Sequence, residues 1–156
     1  MLKSIRKNWK DILTIILIVS VIILSISLNK ANTYKDMTQG YADNVFKDSI
    51  STAMSGLNID YTSIELDEHS RNYHYSKIIS GLGTASNLVP FTSYKDEKSD
   101  LSYTLERLEL ALVRAYSSGF KLETQTDIYN YLLEISLNPT DKETLDKLNK
   151  LIDLID

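Results

Sequence analysis

Few side chains in this 156-residue chain are of the types that do chemistry in concert. Two histidines, His69 and His74, are the first candidates for a metal or acid–base site. Glu65 and His69 stand four residues apart and would share a helix face, but His74 lies five further on and points elsewhere. A metal ion needs ligands converging from one side, so this spacing predicts surface histidines and no metal site. Serines and carboxylates are plentiful, yet there is no Gly-x-Ser-x-Gly elbow and no Ser-x-x-Lys in a catalytic context. Gly81-Leu82-Gly83 follows no strand and lacks the rest of a phosphate-loop pattern. Glu106 and Glu109 are three apart around Arg107, the spacing of a solvated helix face, and no Glu-x-x-His partner completes a di-metal bundle site. With no cysteine, thiol catalysis, disulfides and cysteine metal sites are excluded. The residues therefore predict a protein that is not an enzyme and carries no cofactor.

One cluster suits recognition rather than catalysis. Arg71-Asn72-Tyr73-His74-Tyr75 places two tyrosines two residues apart, and both cannot face a helical core. One must be exposed beside Arg71 and His74, and Tyr and Arg are residue types enriched where proteins bind partners. Arg71, Tyr73, His74 and Tyr75 form the candidate interaction patch. An ordinary helix rim, with a packed ring and a wet hydroxyl, explains the same residues without any partner.

The elements that must carry this patch begin with a membrane candidate. Residues 12–28 (ILTIILIVSVIILSISL) are uncharged and mostly Ile, Leu and Val. As a helix the run is roughly 25 Å long at about 1.5 Å per residue, close to the thickness of a bilayer's hydrocarbon core. Residues 1–11 hold Lys3, Arg6, Lys7 and Lys10 against Asp11, whereas residues 29–43 hold Lys30 and Lys35 with Asp36 and Asp43. Basic flanks resist translocation, which predicts a short cytoplasmic stub (1–11), a transmembrane helix (12–28) and an extracytoplasmic domain (29–156). Trp9 precedes the run at the level expected for an interfacial indole. A cleaved signal peptide shares the basic start and apolar middle. Against it, the run exceeds the usual signal-peptide core of about 7–15 residues, and Ser25-Ile26-Ser27 is its only tolerable cleavage motif. Within the span Ser20 and Ser27 lie seven apart on one face, where small hydroxyl residues let two helices approach. That is the basis for expecting a homo-oligomer, although each hydroxyl can instead bond its own helix's backbone.

Residues 29–156 carry thirteen basic and twenty acidic side chains, a net charge of −7, which repels a nucleic-acid backbone. The segment is long enough for one domain with its own core. A composition rich in Ile, Lys, Asn and Ser without cysteine suits a bacterial surface protein.

Periodicity makes this domain all-α. Tyr34, Met37, Tyr41 and Val45, then Phe46, Ile50, Ala53/Met54 and Leu57, predict an amphipathic helix ending at Gly56–Asn58. A second helix is expected from a capping box at Thr62-Ser63-Ile64-Glu65, with Tyr75, Ile78, Ile79, Leu82, Ala85/Ser86 and Val89 inward and Pro90 as its stop. A third, capped by Ser99 or Asp100, buries Leu101, Leu105, Leu108, Leu112 and Ala115 before Gly119. A fourth, capped by Thr124, buries Ile128, Tyr131, Leu132 and Ile135. After Asn138-Pro139 the box Thr140-Asp141-Lys142-Glu143 opens a last helix with Leu145, Leu148, Leu151, Ile152 and Ile155 inward. Single apolar stripes joined by short connections favour a four-helix-bundle-like domain, its last helix split at Pro139.

The functional expectation is a single-pass membrane protein that presents this domain to another envelope or membrane protein as scaffold, regulator or accessory subunit. Two alternatives are a module sensing a small ligand near Tyr73, His74 and Tyr75, and a secreted helical protein whose signal peptide is removed.

Overall fold

A computed structural model describes residues 2–61, 67–95, 100–117 and 124–155, with side chains for all of these except 2–8, 10 and 117. Its described residues are almost wholly helical: α1 (Leu2–Leu57), α2 (Glu68–Leu88), a 3-10 turn (Val89–Phe91), α3 (Leu101–Ser117), α4 (Gln125–Leu137) and α5 (Lys142–Ile155). The all-α class is as expected. The chain divides into two compact units, residues 1–38 and 39–156.

The first unit is the N-terminal part of α1. Every residue from Asp11 to Thr38 is exposed. The helix is long and apolar enough to cross a membrane. Tyr34 and Met37, expected to begin a buried stripe, are 71% and 67% exposed, and Tyr41 of the second unit is 73% exposed. Period alone located that stripe, but the cover over α1 stops at the turn after α2. There Ser93 donates its backbone N–H and its hydroxyl to the two oxygens of Asp43 (2.7 and 2.6 Å). The Tyr94 ring meets Phe46 at 5.5 Å. Ala42, Phe46, Ile50, Ala53 and Leu57 are the residues of α1 that enter the core.

In the second unit each helix buries one stripe. Leu101, Leu105, Leu108 and Leu112 of α3 are wholly buried, as are Ile128, Leu132 and Ile135 of α4, with Leu148 and Ile152 of α5 at 0% and 1%. A buried aliphatic side chain of this size contributes roughly 1.5–3 kcal/mol. Helix α3 packs on α2 and α5, and α5 on α4. At the outer edge of the α3–α5 contact, Arg107 donates to Asn149 Oδ1 (3.0 Å) and Asp153 Oδ1 (2.6 Å). Asn149 in turn donates to the buried Thr104 hydroxyl (2.9 Å).

The helix starts depart from expectation by register. The box at Thr62–Glu65 lies outside the described residues; α2 begins at Glu68, capped by Asp67, whose oxygens accept from the Ser70 backbone N–H and hydroxyl (both 2.8 Å). Helix α5 is capped by Asp141, not Thr140. The Thr144 N–H donates to Asp141 Oδ2 (3.1 Å) and its hydroxyl lies 2.6 Å from the same oxygen. Glu143 therefore falls one position early for a capping box and pairs with Lys147 (2.8 Å). These bonds hold both aspartate carboxyls below the ordinary range, the Ser70 and Thr144 hydrogen bonds being the main cause. Asp-x-x-Ser and Asp-x-x-Thr do here what Thr-x-x-Glu was expected to do. Thr124 precedes α4 as expected but makes no side-chain capping bond, since its backbone (φ −90°, ψ 10°) is not extended. Gln125 instead donates its amide to the Leu57 and Ile59 carbonyls at the end of α1. Gly119 and Ser99 lie outside the described residues; Asp100 accepts from the Thr104 N–H through its backbone carbonyl (2.7 Å).

Helices α1 and α2 approach closely because of two glycines. A β-carbon at Gly81 would lie 2.6 Å from the Ser49 carbonyl and 2.7 Å from the Ala53 nitrogen; at Gly56 it would lie 2.5 Å from the His74 carbonyl. These three obstacles are backbone atoms, which cannot swing aside as a side chain can. A β-carbon at Gly40 would meet nothing within 4 Å. Gly81→Ala should therefore cost roughly 1–3 kcal/mol through overpacking. Gly40→Ala should add about 0.5–1 kcal/mol through helix propensity. Urea unfolding of the detergent-solubilised full chain reads both, and equal shifts from the two would contradict the close contact.

Candidate partner-binding surface

The tyrosine pair of α2 is divided between two surfaces. Tyr73 is 53% exposed, with Lys77 Nζ 4.7 Å from its ring centre. Tyr75 turns toward α3, stacks on Tyr116 with ring centres 3.8 Å apart, and donates its hydroxyl to the Leu112 carbonyl (3.3 Å). Tyr116 donates to Asn72. Burial is the first cause pushing the Tyr75 hydroxyl up to about 12, followed by the neighbouring Tyr116. Tyr61 is pushed up further, again chiefly by burial, and donates to the Gly56 carbonyl (3.0 Å). His74 is half-buried, edge-on to Tyr73 at 5.4 Å. Arg71 is half-buried in the first turn of α2, its backbone N–H on the Asp67 carbonyl (3.0 Å). The four residues of the sequence patch thus share one helix without forming one surface: Tyr73 and His74 touch, and Tyr75 belongs to the α2–α3 seam. His69 is exposed, and no metal-binding group occurs among the described residues. Ser20 and Ser27 are exposed along the apolar part of α1.

The Tyr75–Tyr116 pair closes one end of a groove between α2 and α3, about 650 Å³ in volume. Ile79 and Val113 supply its apolar floor, and Glu109 is the one charged side chain among its lining residues. Three of the polar side chains on the α2 wall are turned back on their own helix. Ser76 donates to the Tyr73 carbonyl (2.7 Å), Ser80 to Lys77 (3.4 Å) and Asn87 to Gly83 (2.7 Å). Outside the groove, Leu110 of α3, three residues before Val113, is 47% exposed. A second hollow of about 480 Å³ lies between the end of α1 and the start of α4.

Glu109 is the residue that spacing alone assigned to the solvated face. Glu106 is exposed, but Glu109 is half-buried and leans across Gly83, where a β-carbon would sit 3.2 Å from both carboxylate oxygens. Desolvation first, and the Glu106 charge second, raise its carboxyl above the usual range. One signal was available: Glu109, Val113 and Tyr116 stand at i, i+4 and i+7, so one face of α3 combines an acid, an aliphatic and an aromatic group.

No family model, curated protein or solved structure matches this chain.

A raised folded-state carboxyl opposes folding once it ionises, and costs nothing while it is protonated in both states. Glu109→Gln should therefore raise the melting temperature at pH 7, with the gain closing as pH falls below about 4. Thermal melts across pH 3–8 test this; a lower melting temperature at pH 7 would show that Glu109 holds the fold together.

Proposed function

We propose that this chain is a single-pass membrane-anchored protein whose helical domain lies outside the cytoplasm and acts, without catalysis, by binding another envelope or membrane protein. The observation that carries the anchor is the uncovered belt of α1. Thirteen Ile, Leu and Val side chains between Ile12 and Leu28 are each 47–68% exposed. Leaving them in water forfeits on the order of 10 kcal/mol of burial energy, as much as a whole domain's net stability. Lipid supplies the missing cover. The charge asymmetry of the flanks supports an N-terminus inside the cell.

The binding half of the proposal is supported by the α2–α3 groove. Its floor is apolar, the side chains of Ser76, Ser80 and Asn87 on its α2 wall are occupied, and it is open along its length rather than enclosed. A small-ligand sensor is the second reading, favoured by the carboxylate and aromatic pair in the same groove. The protein partner is preferred because Leu110, one turn from Val113 on α3, adds an exposed apolar side chain outside the groove.

Alkaline carbonate extraction of membranes, with N-terminal sequencing of the recovered protein, tests the anchor. The protein should stay in the membrane pellet with its basic N-terminal residues intact. Recovery from the culture medium with a new N-terminus near Leu28 would establish a secreted protein and overturn the anchor.

A further inference from the structure

We infer that the α2–α3 groove receives an amphipathic helix of the partner protein, seated so that a lysine or arginine of that helix pairs with Glu109. The inference rests on the partner-binding function proposed above and adds the site and the chemistry of the occupant.

The shape comes first. Two helices in contact leave a furrow between them, and a third helix laid in it presents an apolar stripe to the floor. Here the floor is Ile79 and Val113, with the stacked rings of Tyr75 and Tyr116 as an aromatic stop at one end. A segment with one apolar stripe fits, and its stripe would also cover Leu110.

The charge then selects the occupant. Ser76, Ser80 and Asn87 on the α2 wall already donate to their own backbone, leaving Glu109 as the ionic group of the wall. Glu106, one turn earlier on α3, adds negative charge. An acidic or neutral helix would bury a carboxylate with no counter-charge, which is strongly unfavourable. A helix with a basic side chain opposite Glu109 turns the same carboxylate into a charge-assisted hydrogen bond. The net charge of −7 over residues 29–156 draws a basic partner to this domain and slows an acidic one.

The test uses the full chain in its own membrane. A photo-crosslinking amino acid is placed at Val113 in one strain and at Tyr73, on the other face of α2, in a second; adducts are mapped by mass spectrometry. The expected result is an adduct from position 113 to an amphipathic segment of another membrane or envelope protein, with a Lys or Arg within one turn of the linked residue. Glu109→Gln should lower its yield by more than about tenfold. Because that substitution is expected to stabilise the domain, unfolding cannot explain such a loss. Glu109→Lys should abolish the adduct, and the partner's basic residue changed to Glu should restore it. An adduct from position 113 to a second copy of this chain, to lipid only, or to a segment lacking a basic residue would overturn the inference. A protein adduct from position 73 alone would overturn the groove and leave the partner-binding function standing. No protein adduct from either position would overturn both.

Discussion

Thirteen large aliphatic side chains in a stretch of seventeen residues lie uncovered by the rest of the chain, and an apolar surface of that size does not persist in water. This constraint governs the other features. It makes the first part of α1 an element whose stability depends on its surroundings instead of on tertiary contacts. That part also has no glycine in its sequence, whereas glycines set helix distances within residues 39–156. In hydrocarbon a helix satisfies its own backbone hydrogen bonds, which is the one requirement a lone span must meet.

The second unit solves a different problem. Without disulfides it is held by packing, so helix-to-helix distance matters at each seam. Gly56 and Gly81 set that distance between α1 and α2, with Ser49 and Ala53 as the small residues opposite. Leu108 and Leu112 then fill the space under α3, and the Tyr75–Tyr116 stack closes the α2–α3 seam at one end. The groove is a by-product of that seam, and Glu109 is its one feature that works against folding. A carboxyl held half-buried and above its usual range opposes folding, a cost that the proposed partner-binding role of the groove would offset.

Legibility in the sequence followed the range of the interaction involved. The register of α3 was readable in full, because Leu101, Leu105, Leu108, Leu112 and Ala115 all lie on one stripe and all are buried. Pro90 marked the end of α2 within two residues, since its effect is on its own backbone. The helix starts were missed by a residue at α5 and by several at α2. Asp and Thr are both good caps, and the chain chose Asp67 and Asp141, whose carboxylates each accept both the backbone N–H and the hydroxyl of a serine or threonine three residues on. Tyr34, Met37 and Tyr41 have helical spacing but no cover, and spacing cannot say where a neighbouring helix ends. Gly56 was read only as a terminator and Gly81 only as a failed phosphate loop, because a close approach involves two segments distant in sequence. For the candidate site, the exposure of one tyrosine of the pair 73/75 followed from helix geometry. The groove itself did not, because Glu109 is half-buried by α2, which lies some thirty residues away in the chain.

The absence of cysteine makes one direct measurement clean. A single cysteine introduced at a chosen position, probed with a membrane-impermeant maleimide in intact cells and again after permeabilisation, reports its own surroundings. The account predicts that Asn32→Cys and Lys150→Cys are labelled in intact cells and Ser4→Cys only after permeabilisation, while Ser20→Cys is labelled in neither condition. Labelling of Ser20→Cys as readily as Asn32→Cys would contradict it, because the apolar belt would then be meeting water and the lipid-held helix on which the functional account stands would not exist.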